Sequence, residues 1–393
     1  MNKTFSRILS FALSGALLLG SASAAEESVF TRQMVERSLY QTGNTQRLHK
    51  AIDKARAGEK VSMVYLGGSI TEGALAQPQQ THCYAALSAR LFAEKFMADP
   101  AQLEYHNAGI SGTPSLLGVT RCEQDVLAYK PDIVFVEFAV NDSSDANAQM
   151  AYESLVRKLL NSETQPAVVL VLTLMSGGYS AHVHMKQIGK HYDLGVVSVY
   201  DAIKPQLDMK LMAWSDYSSD YAHPTTEGHA FIADLIGYYF DQAAATEPTD
   251  YVIPVEARYS KSLENLRNIR QGDPAIITGG SFPYTNVTCY SYTKGWRHSS
   301  LADSNDPLVL QVTGAYMTIA IKQEPNQLCG KAEVWVDGHL KTTLAGYAEN
   351  AWGNVVTELI PLGENTAHTV EIRMAADNVN KYFSLLDIAV AAE

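Results

Sequence analysis

The chain is poor in cysteine, in basic residues and in long apolar stretches. It has four cysteines among 393 residues, without the close paired spacing of a zinc ligand set. Lys and Arg number 30 against 42 for Asp and Glu, and the formal net charge is −12. Such acidity argues against a general nucleic-acid binder and against electrostatic docking to anionic membranes. We therefore expect no metal, no cofactor and no nucleic-acid partner.

The apolar stretch that does stand out lies at the start of the chain. Lys3 and Arg7 precede an apolar run over 8–20, and small residues follow at 22–24. This is the pattern of a cleavable secretory signal. No later stretch approaches the roughly 18 apolar residues of a membrane span. The sequence thus predicts a signal peptide over 1–24 and a secreted or periplasmic protein without a membrane span in its mature chain, with an uncleaved anchor as the alternative.

Export gives the cysteines a predicted role. Cys83 and Cys122 lie in the first half of the chain, and Cys289 and Cys329 lie in the second. Of the three possible pairings, one bridge within each half is favoured in an oxidising compartment. We therefore expect the disulfides Cys83–Cys122 and Cys289–Cys329.

A strand followed by two glycines leads into Ser69. The run from Val61 to Leu66 is largely apolar, Gly67 and Gly68 follow it, and a helix-like pattern comes later. This order places Ser69 at the carboxyl end of a parallel strand, where open α/β sheets bind their ligands. There its hydroxyl can attack and its N–H can donate to an oxyanion. Taken alone, the segment fits an ordinary loop better, because small-residue turns are common after strands.

Two further strand ends carry candidate oxyanion donors. The buried-strand pattern over 132–140 stops at Asn141 and Asp142, and an asparagine amide there can donate to an oxyanion. Earlier, a strand end runs into a turn whose Gly112 N–H supplies another donor. Each segment also fits a plain turn or a helix cap.

Asp220 and His223 supply a carboxylate and an imidazole three residues apart, just before a helix-like run. On a short turn this spacing lets the carboxylate orient the ring that accepts a serine proton. His229 is the rival base, but its place inside the following helix favours a packed or capping role. His182 and His184 lack a companion carboxylate cluster and are expected on an exposed or cleft-rim loop.

Together these blocks resemble the SGNH, or GDSL-like, family of serine esterases and acylhydrolases over about residues 60–240. The resemblance implies that Ser69 is the nucleophile, His223 the base and Asp220 the orienting acid. It also implies an oxyanion hole made of the Ser69 N–H, the Gly112 N–H and the Asn141 side chain. The family blocks correspond to Gly67-Gly68-Ser69-Ile70, Gly112, Ala139-Val140-Asn141-Asp142, and Asp220 with His223.

The chain departs from the family pattern at two positions. Gly68 stands where the family has aspartate, and Ala139 stands where it has glycine. Neither change removes a group that attacks or transfers a proton. The mechanism is therefore expected to carry over, whereas the shape of the pocket and the substrate preference transfer less well.

Composition and patterning predict two folded domains. Hydrophobic residues make up 46% of the chain, enough to bury substantial cores. Strand-like runs alternate with helix-like ones, which predicts a three-layer α/β/α sheet of the SGNH type. The helix-like run over 148–160 has an apolar stripe, and its Glu153, Arg157 and Lys158 are expected to face water. The predicted strands lie near 61–66, 102–106, 132–137, 167–173 and 195–199.

The sequence pattern changes after Thr246. Short strand-like segments separated by turn residues predict an antiparallel β-sandwich, which resembles the jelly-roll modules of galactose-binding type that accompany carbohydrate-active enzymes. Trp296, Trp335 and Trp352 are candidate sugar platforms, although a buried role is more usual for Trp in a sandwich. The predicted division is a signal peptide over 1–24, a catalytic domain over 25–246, a connecting segment over 247–265, and an accessory domain over 266–393.

The predicted function is a secreted serine esterase that removes acyl groups, above all acetyl, from carbohydrate through an acyl-enzyme intermediate. Export and the predicted sandwich favour a sugar substrate. A lipid or aryl-ester hydrolase is the alternative among enzymes. A non-catalytic glycan-binding protein is the alternative outside them, although a pure binder would have no need of Ser69, Asn141, Asp220 and His223 together.

Overall fold

The computed structural model of the protein describes residues 29–391, and the predicted signal peptide lies outside this range. The helices are α1 (Arg32–Ser38), α2 (Gln46–Arg56), α3 (Ser69–Glu72), α4 (Gln79–His82), α5 (Tyr84–Phe96), α6 (Ser115–Thr120), α7 (Cys122–Asp125), α8 (Ala146–Leu160), α9 (His182–His191), α10 (Val199–Asp208) and α11 (Thr226–Ala245). The strands are β1 (Leu39–Gln41), β2 (Val61–Gly67), β3 (Leu103–Gly109), β4 (Ile133–Glu137), β5 (Ala167–Leu172), β6 (Gly195–Ser198), β7 (Leu266–Asn268), β8 (Ile276–Thr278), β9 (Tyr284–Cys289), β10 (Tyr292–His298), β11 (Leu308–Gln323), β12 (Lys331–Val336), β13 (His339–Ala345), β14 (Asn354–Met374) and β15 (Phe383–Ala391).

A six-stranded sheet forms the centre of the first part, here called the α/β domain, in the order β1-β6-β5-β4-β2-β3. Strands β2 to β6 pair in parallel, as predicted. The edge strand β1 runs antiparallel to β6 and was not predicted, because three residues carry too little pattern. Helices flank the sheet, and the predicted fold class is confirmed.

Side chains that alternate along each strand enter cores on opposite faces of this sheet. Met63 and Tyr65 of β2 pack in one core, and Val64 and Leu66 pack in the other. Burial on both faces explains why these strands read as continuous apolar runs. Since β2, β3 and β4 are parallel neighbours, the polar turns that follow them meet at one edge of the sheet.

The second part is the predicted antiparallel sandwich, here called the β-sandwich domain. Its strands follow the order β13-β12-β14-β11-β15-β10-β9, with β7 added to β15 and β8 added to β11. The long strands β11 and β14 pair along most of their length, and a register shift between Gly314 and Tyr316 divides that pairing. The core of this domain includes Trp296, Ile319 and Phe383.

Helix α8 is buried on its charged side, contrary to expectation. Glu153, Arg157 and Lys158 are 0%, 7% and 9% exposed because the chain after α11 crosses this face. Glu153 accepts three consecutive backbone N–H groups of that crossing segment, at 2.5–2.8 Å. Arg157 forms an ion pair with Glu264 at 2.5 Å. A row of charges on a helix has the same sequence pattern whether water or another segment covers it.

The two domains share apolar cores. Leu263 and Ala389 belong to the same core as α8 and β4, and a smaller cluster joins Ile110 of the α/β domain to Leu386 of the β-sandwich. The sandwich is therefore packed onto the sheet-bearing domain. The predicted domain boundaries remain predictions.

The two predicted disulfides are wrong, because all four cysteines are free. Cys83 packs in the core on one face of the parallel sheet and Cys122 packs in the core on the other, so the sheet separates them. The thiols of Cys289 and Cys329 donate instead to a backbone carbonyl and a glutamate carboxylate, at 3.3 and 3.5 Å. Burial raises the pKa of both thiols to about 11.

Within residues 29–391, none of the helices combines the length and the apolar character that a bilayer crossing needs. Over the same range, no three or more His, Cys, Asp or Glu side chains are grouped so that they could hold a metal ion.

Candidate active site

Side chains from two distant parts of the chain form one hydrogen-bonded series at the edge of the parallel sheet. Ser69 is the first residue of α3, directly after β2 and Gly68, and is 7% exposed. Its Oγ lies 2.8 Å from Nε2 of His223, and Nδ1 of His223 lies 2.7 Å from Oδ2 of Asp220. In such a series the imidazole can accept the hydroxyl proton while the carboxylate fixes the ring tautomer.

The turn that carries Asp220 and His223 is held by its own carboxylate. Oδ1 of Asp220 accepts the backbone N–H groups of Ala222 and His223, at 2.8 and 2.7 Å. Trp214 Nε1 donates to the Asp220 carbonyl at 2.6 Å. Partial burial acts to raise the pKa of Asp220, but the hydrogen bonds from Ala222 and His223 outweigh it and leave that pKa below the ordinary value. The carboxylate is therefore ionised at neutral pH.

The other candidate histidines lie on helices. His229 lies on α11, where its Nδ1 accepts the N–H of Tyr84 at 3.2 Å and its Nε2 lies 3.0 Å from the Ala74 carbonyl. Burial lowers the pKa of His229 to about 4. His182 and His184, expected on a loop, lie instead on α9, and His184 is buried. The segment before α9 is rich in Gly and Ser, and its helical periodicity is too weak to predict a helix at His182 and His184.

Asn141 follows the end of β4 and lies against Gly68. A Cβ built on Gly68 would come within 2.2 Å of Oδ1 of Asn141. The aspartate that the family pattern has at this position would collide with the asparagine side chain. The Asn141 amide can hold this position beside the serine turn because Gly68 has no side chain.

Gly112 lies in the turn after β3 with a φ of +72°, a left-handed conformation that favours glycine. Trp352 of the β-sandwich approaches this turn, since a Cβ built on Gly112 would lie 3.1 Å from ring atoms Cη2 and Cζ2. Trp352 Nε1 donates to the hydroxyl of Tyr290 at 3.2 Å, and the residue is 60% exposed. The β-sandwich thus presents an aromatic side chain beside the Gly112 turn.

Only one of the three candidate tryptophans is both exposed and near the site. Trp296 is buried in the sandwich core. Trp335 is half-buried, and the guanidinium of Arg373 lies 4.3 Å from its ring centre. Trp352 lies in the segment before β14, where the sequence pattern gave no sign that it would meet Gly112.

Asp142 joins the Asn141 turn to the Gly112 turn. Its Oδ1 accepts the N–H of Ser115, at 2.7 Å, and its Oδ2 is buried without a hydrogen-bond partner among the described residues. Complete burial raises the pKa of Asp142 to about 7. This contact ties together the two turns that carry the predicted Asn141 and Gly112 donors.

A buried glutamate next to the serine turn was missed. Glu137 is the last residue of β4 and accepts hydrogen bonds from Thr173 Oγ1 at 2.6 Å and Thr71 Oγ1 at 3.1 Å. Complete burial raises the pKa of Glu137. A single carboxylate at the end of an otherwise apolar strand was the available signal in the sequence.

Comparison with known proteins agrees with this architecture. The model of the GDSL-like lipase/acylhydrolase family matches residues 65–231. Two solved structures of a two-domain esterase active on acetylated mannans, one co-crystallised with mannopentaose, are each 30% identical to this chain. Each covers 91% of this chain and 98% of its own, with a TM-score of 0.80. A search of the curated proteins gave no match.

A third structure, of an acetylxylan esterase from Geobacillus stearothermophilus, is 19% identical and covers 47% of this chain and 96% of its own, with a TM-score of 0.38. A TM-score of 0.38 is too low to support an inference about this chain. The likeness to the two-domain esterase supports one, because it extends over the α/β domain and the β-sandwich together. The chain belongs to the GDSL-like lipase/acylhydrolase family and is a serine hydrolase that acts on carboxylic ester bonds.

Proposed function

We propose that Ser69 is the nucleophile of this esterase, His223 its general base and Asp220 the residue that orients the base. The observation that carries the proposal is the continuous series from Ser69 Oγ through both ring nitrogens of His223 to the Asp220 carboxylate. Ser69 Oγ attacks the ester carbonyl carbon as Nε2 of His223 takes its proton. The leaving alcohol takes that proton, and water then releases the acid from the acyl-enzyme.

The oxyanion hole in this proposal consists of the Ser69 N–H, the Gly112 N–H and the Asn141 side-chain amide. All three follow the carboxyl ends of neighbouring parallel strands, so their donors converge on one edge of the sheet. In this arrangement Gly68 leaves space for Asn141, and Asp142 accepts the Ser115 N–H. Donors fixed in advance stabilise charge that develops in the transition state.

The substrate in this proposal is acylated carbohydrate, above all an acetylated polysaccharide. The related two-domain esterase is active on acetylated mannans, and the likeness includes the sandwich. The exposed face of Trp352 beside Gly112 supports the same class, because the apolar faces of sugar rings stack on aromatic side chains. A sugar whose ester enters the site would lie within reach of this ring.

Export is the remaining part of the proposal. The pattern over 1–24 supports a cleaved signal, which would place the enzyme outside the cytoplasm with its polymeric substrate. Amino-terminal sequencing of the protein from the medium or periplasm tests this, and the expected first residue is Ala25. A protein that keeps Met1 in the membrane fraction would contradict it.

The substrate is tested by measuring acetate or fatty acid released by the full mature chain from a matched panel. The panel contains acetylated mannan, acetylated xylan, 4-nitrophenyl acetate and a long-chain triacylglycerol. We expect the highest kcat/KM on one of the polysaccharides and negligible release from the triacylglycerol. Faster release from the triacylglycerol would favour the lipid alternative, and activity confined to the aryl ester would favour an aryl-ester hydrolase.

A further inference from the structure

Arg121 lies beneath the candidate site, between α6 and α7, and its side chain is completely buried. One terminal nitrogen, Nη2, donates to the carbonyl of Ala108 at 2.7 Å and to the carbonyl of Gly67 at 3.2 Å. Gly67 is the last residue of β2, and Ala108 is the penultimate residue of β3. A single guanidinium therefore holds together the ends of the two strands that lead to the Gly112 turn and the Ser69 turn.

The strand ends that Arg121 holds are close to the proposed donors. Gly67 is two residues before Ser69, and it pairs in register with Gly109, three residues before Gly112. The carbonyl of Gly67 also accepts the N–H of Ile110 at 3.1 Å. Any shift between β2 and β3 at this point would change the distance between the Ser69 and Gly112 N–H groups.

The other side of the guanidinium faces the β-sandwich. Arg121 Nη1 lies 3.0 Å from Oδ2 of Asp125, and the same carboxylate oxygen accepts the hydroxyl of Ser291 at 2.9 Å. Ser291 follows Tyr290, which has a φ of +52° and accepts the hydrogen bond from Trp352. A left-handed φ is uncommon for a residue with a bulky side chain. This one turn of the sandwich thus connects both to Arg121 and to the aromatic ring beside Gly112.

We propose that Arg121 is a positioning residue, through which the Ser291 turn of the β-sandwich fixes the spacing of the Ser69 and Gly112 oxyanion donors. The proposal rests on the proposed function. Its physical basis is the planar, rigid fork of a guanidinium, which a lysine ammonium does not reproduce. Catalytic donors need to be held within about 0.5 Å, and a displacement of about 1 Å can cost about 10²-fold in rate.

The decisive variant is Arg121→Lys, which keeps the charge and loses the fork. We expect kcat on 4-nitrophenyl acetate to fall by about 10–100-fold, with KM changed less than about twofold and the shape of the pH–rate profile unchanged. Arg157→Lys is the matched control, since Arg157 is also buried and also ion-paired but faces the crossing segment. An equal loss of kcat in both variants, at similar losses of thermal stability, would overturn the proposal.

Ser291→Ala keeps the proposal testable if Arg121→Lys does not fold. It removes one hydroxyl of the sandwich, and we expect kcat on the small ester to fall about threefold to tenfold, although Ser291 touches no proposed catalytic residue. Ser299→Ala is its control, because among residues 29–391 Ser299 Oγ accepts only the N–H of Leu301, in the same domain. Unchanged kcat in Ser291→Ala overturns the proposal. Full activity in Ser69→Ala would instead overturn the proposed function, so the two failures are distinguishable.

Discussion

The side-chain amide of Asn141 occupies the space in which a Cβ at Gly68 would lie. A Cβ at Gly68 would lie 2.2 Å from Oδ1 of Asn141, well inside van der Waals contact. An aspartate at position 68 would therefore require the Asn141 amide to shift from the position it holds here. The two residues follow different strands, so the relationship appears only when β2 and β4 are paired.

This contact predicts that a substitution toward the family pattern is harmful. We expect Gly68→Asp or Gly68→Ala to lower kcat by at least about 10²-fold, because Asn141 must move away from the oxyanion. Asn141→Ala alone should lower kcat by about 10²–10³-fold and change KM much less. In the Asn141→Ala background, adding Gly68→Ala should cost little more, which steady-state kinetics of the double-mutant cycle would measure. Additive losses would show that the two residues do not compete for this space.

Ser69→Ala should abolish ester hydrolysis and preserve the fold. The substitution removes the attacking oxygen and little buried volume, and we expect kcat to fall by about 10⁶-fold. Released acetate and circular dichroism measure the two quantities. Ser143→Ala serves as the control, since Ser143 is exposed in the turn after Asn141. Near-normal activity of Ser69→Ala would refute the assignment of the nucleophile.

Removing the base should lower kcat more than removing the carboxylate that orients it. We expect His223→Ala to lower kcat about as much as Ser69→Ala, and Asp220→Asn to lower it by about 10⁴-fold. The pKa of Asp220 lies below its ordinary value, so this carboxylate stays ionised as pH falls and should not produce the acid limb of the rate profile. Kinetics across pH 4–9 provide the measurement. If His229→Ala silences the enzyme and His223→Ala does not, the base has been wrongly assigned.

Trp352→Ala should separate polymeric from small substrates. Loss of the exposed ring removes a stacking surface, and we expect kcat/KM on acetylated polysaccharide to fall by roughly tenfold, equivalent to about 1.4 kcal/mol. On 4-nitrophenyl acetate the change should stay within about threefold. Trp335→Ala is the control, because Trp335 packs under Arg373 within the sandwich. Equal loss on both substrates would assign Trp352 a bracing role instead of a sugar platform.

Asp142 should make stability fall as pH rises. Burial raises its pKa from 3.8 to about 7, so the folded protein holds the proton more tightly than the unfolded chain does. Its contribution is therefore most favourable below pH 4 and is lost as pH rises toward 7, by on the order of 4 kcal/mol. Urea unfolding of Asp142→Asn at pH 4.5 and 7.5 should show the variant gaining stability relative to wild type at the higher pH.

Asp145 offers a matched variant for which we expect the opposite pH dependence of stability. Asp145, three residues later, is exposed, and its pKa lies below the ordinary value because the Ser143 hydroxyl and the Ala148 N–H donate to its carboxylate. Its stabilising contribution is therefore present above the ordinary carboxyl pKa and lost in acid. Asp145→Asn should lose stability relative to wild type at pH 7.5. The same pH trend in both variants would contradict the burial of Asp142.

The sequence by itself determined the local pieces of this protein. Apolar runs predicted strands near 61–66, 132–137, 167–173 and 195–199, which agree with β2, β4, β5 and β6, because a buried parallel strand is apolar on both faces. The contact between Asp220 and His223 could be predicted from their spacing, since it involves only residues of one short turn. Turn-rich short strands likewise predicted the sandwich.

Only the tertiary structure decided which segments cover these helices and strands and which distant residues come into contact. Glu153 looked solvated, yet the chain after α11 buries it; Cys83 and Cys122 looked paired, yet a sheet separates them. The approach of Trp352 to Gly112 joins residues far apart in sequence. Periodicity specifies which face of an element is apolar or polar, but not which distant segment packs there, because that choice depends on the shapes of both surfaces.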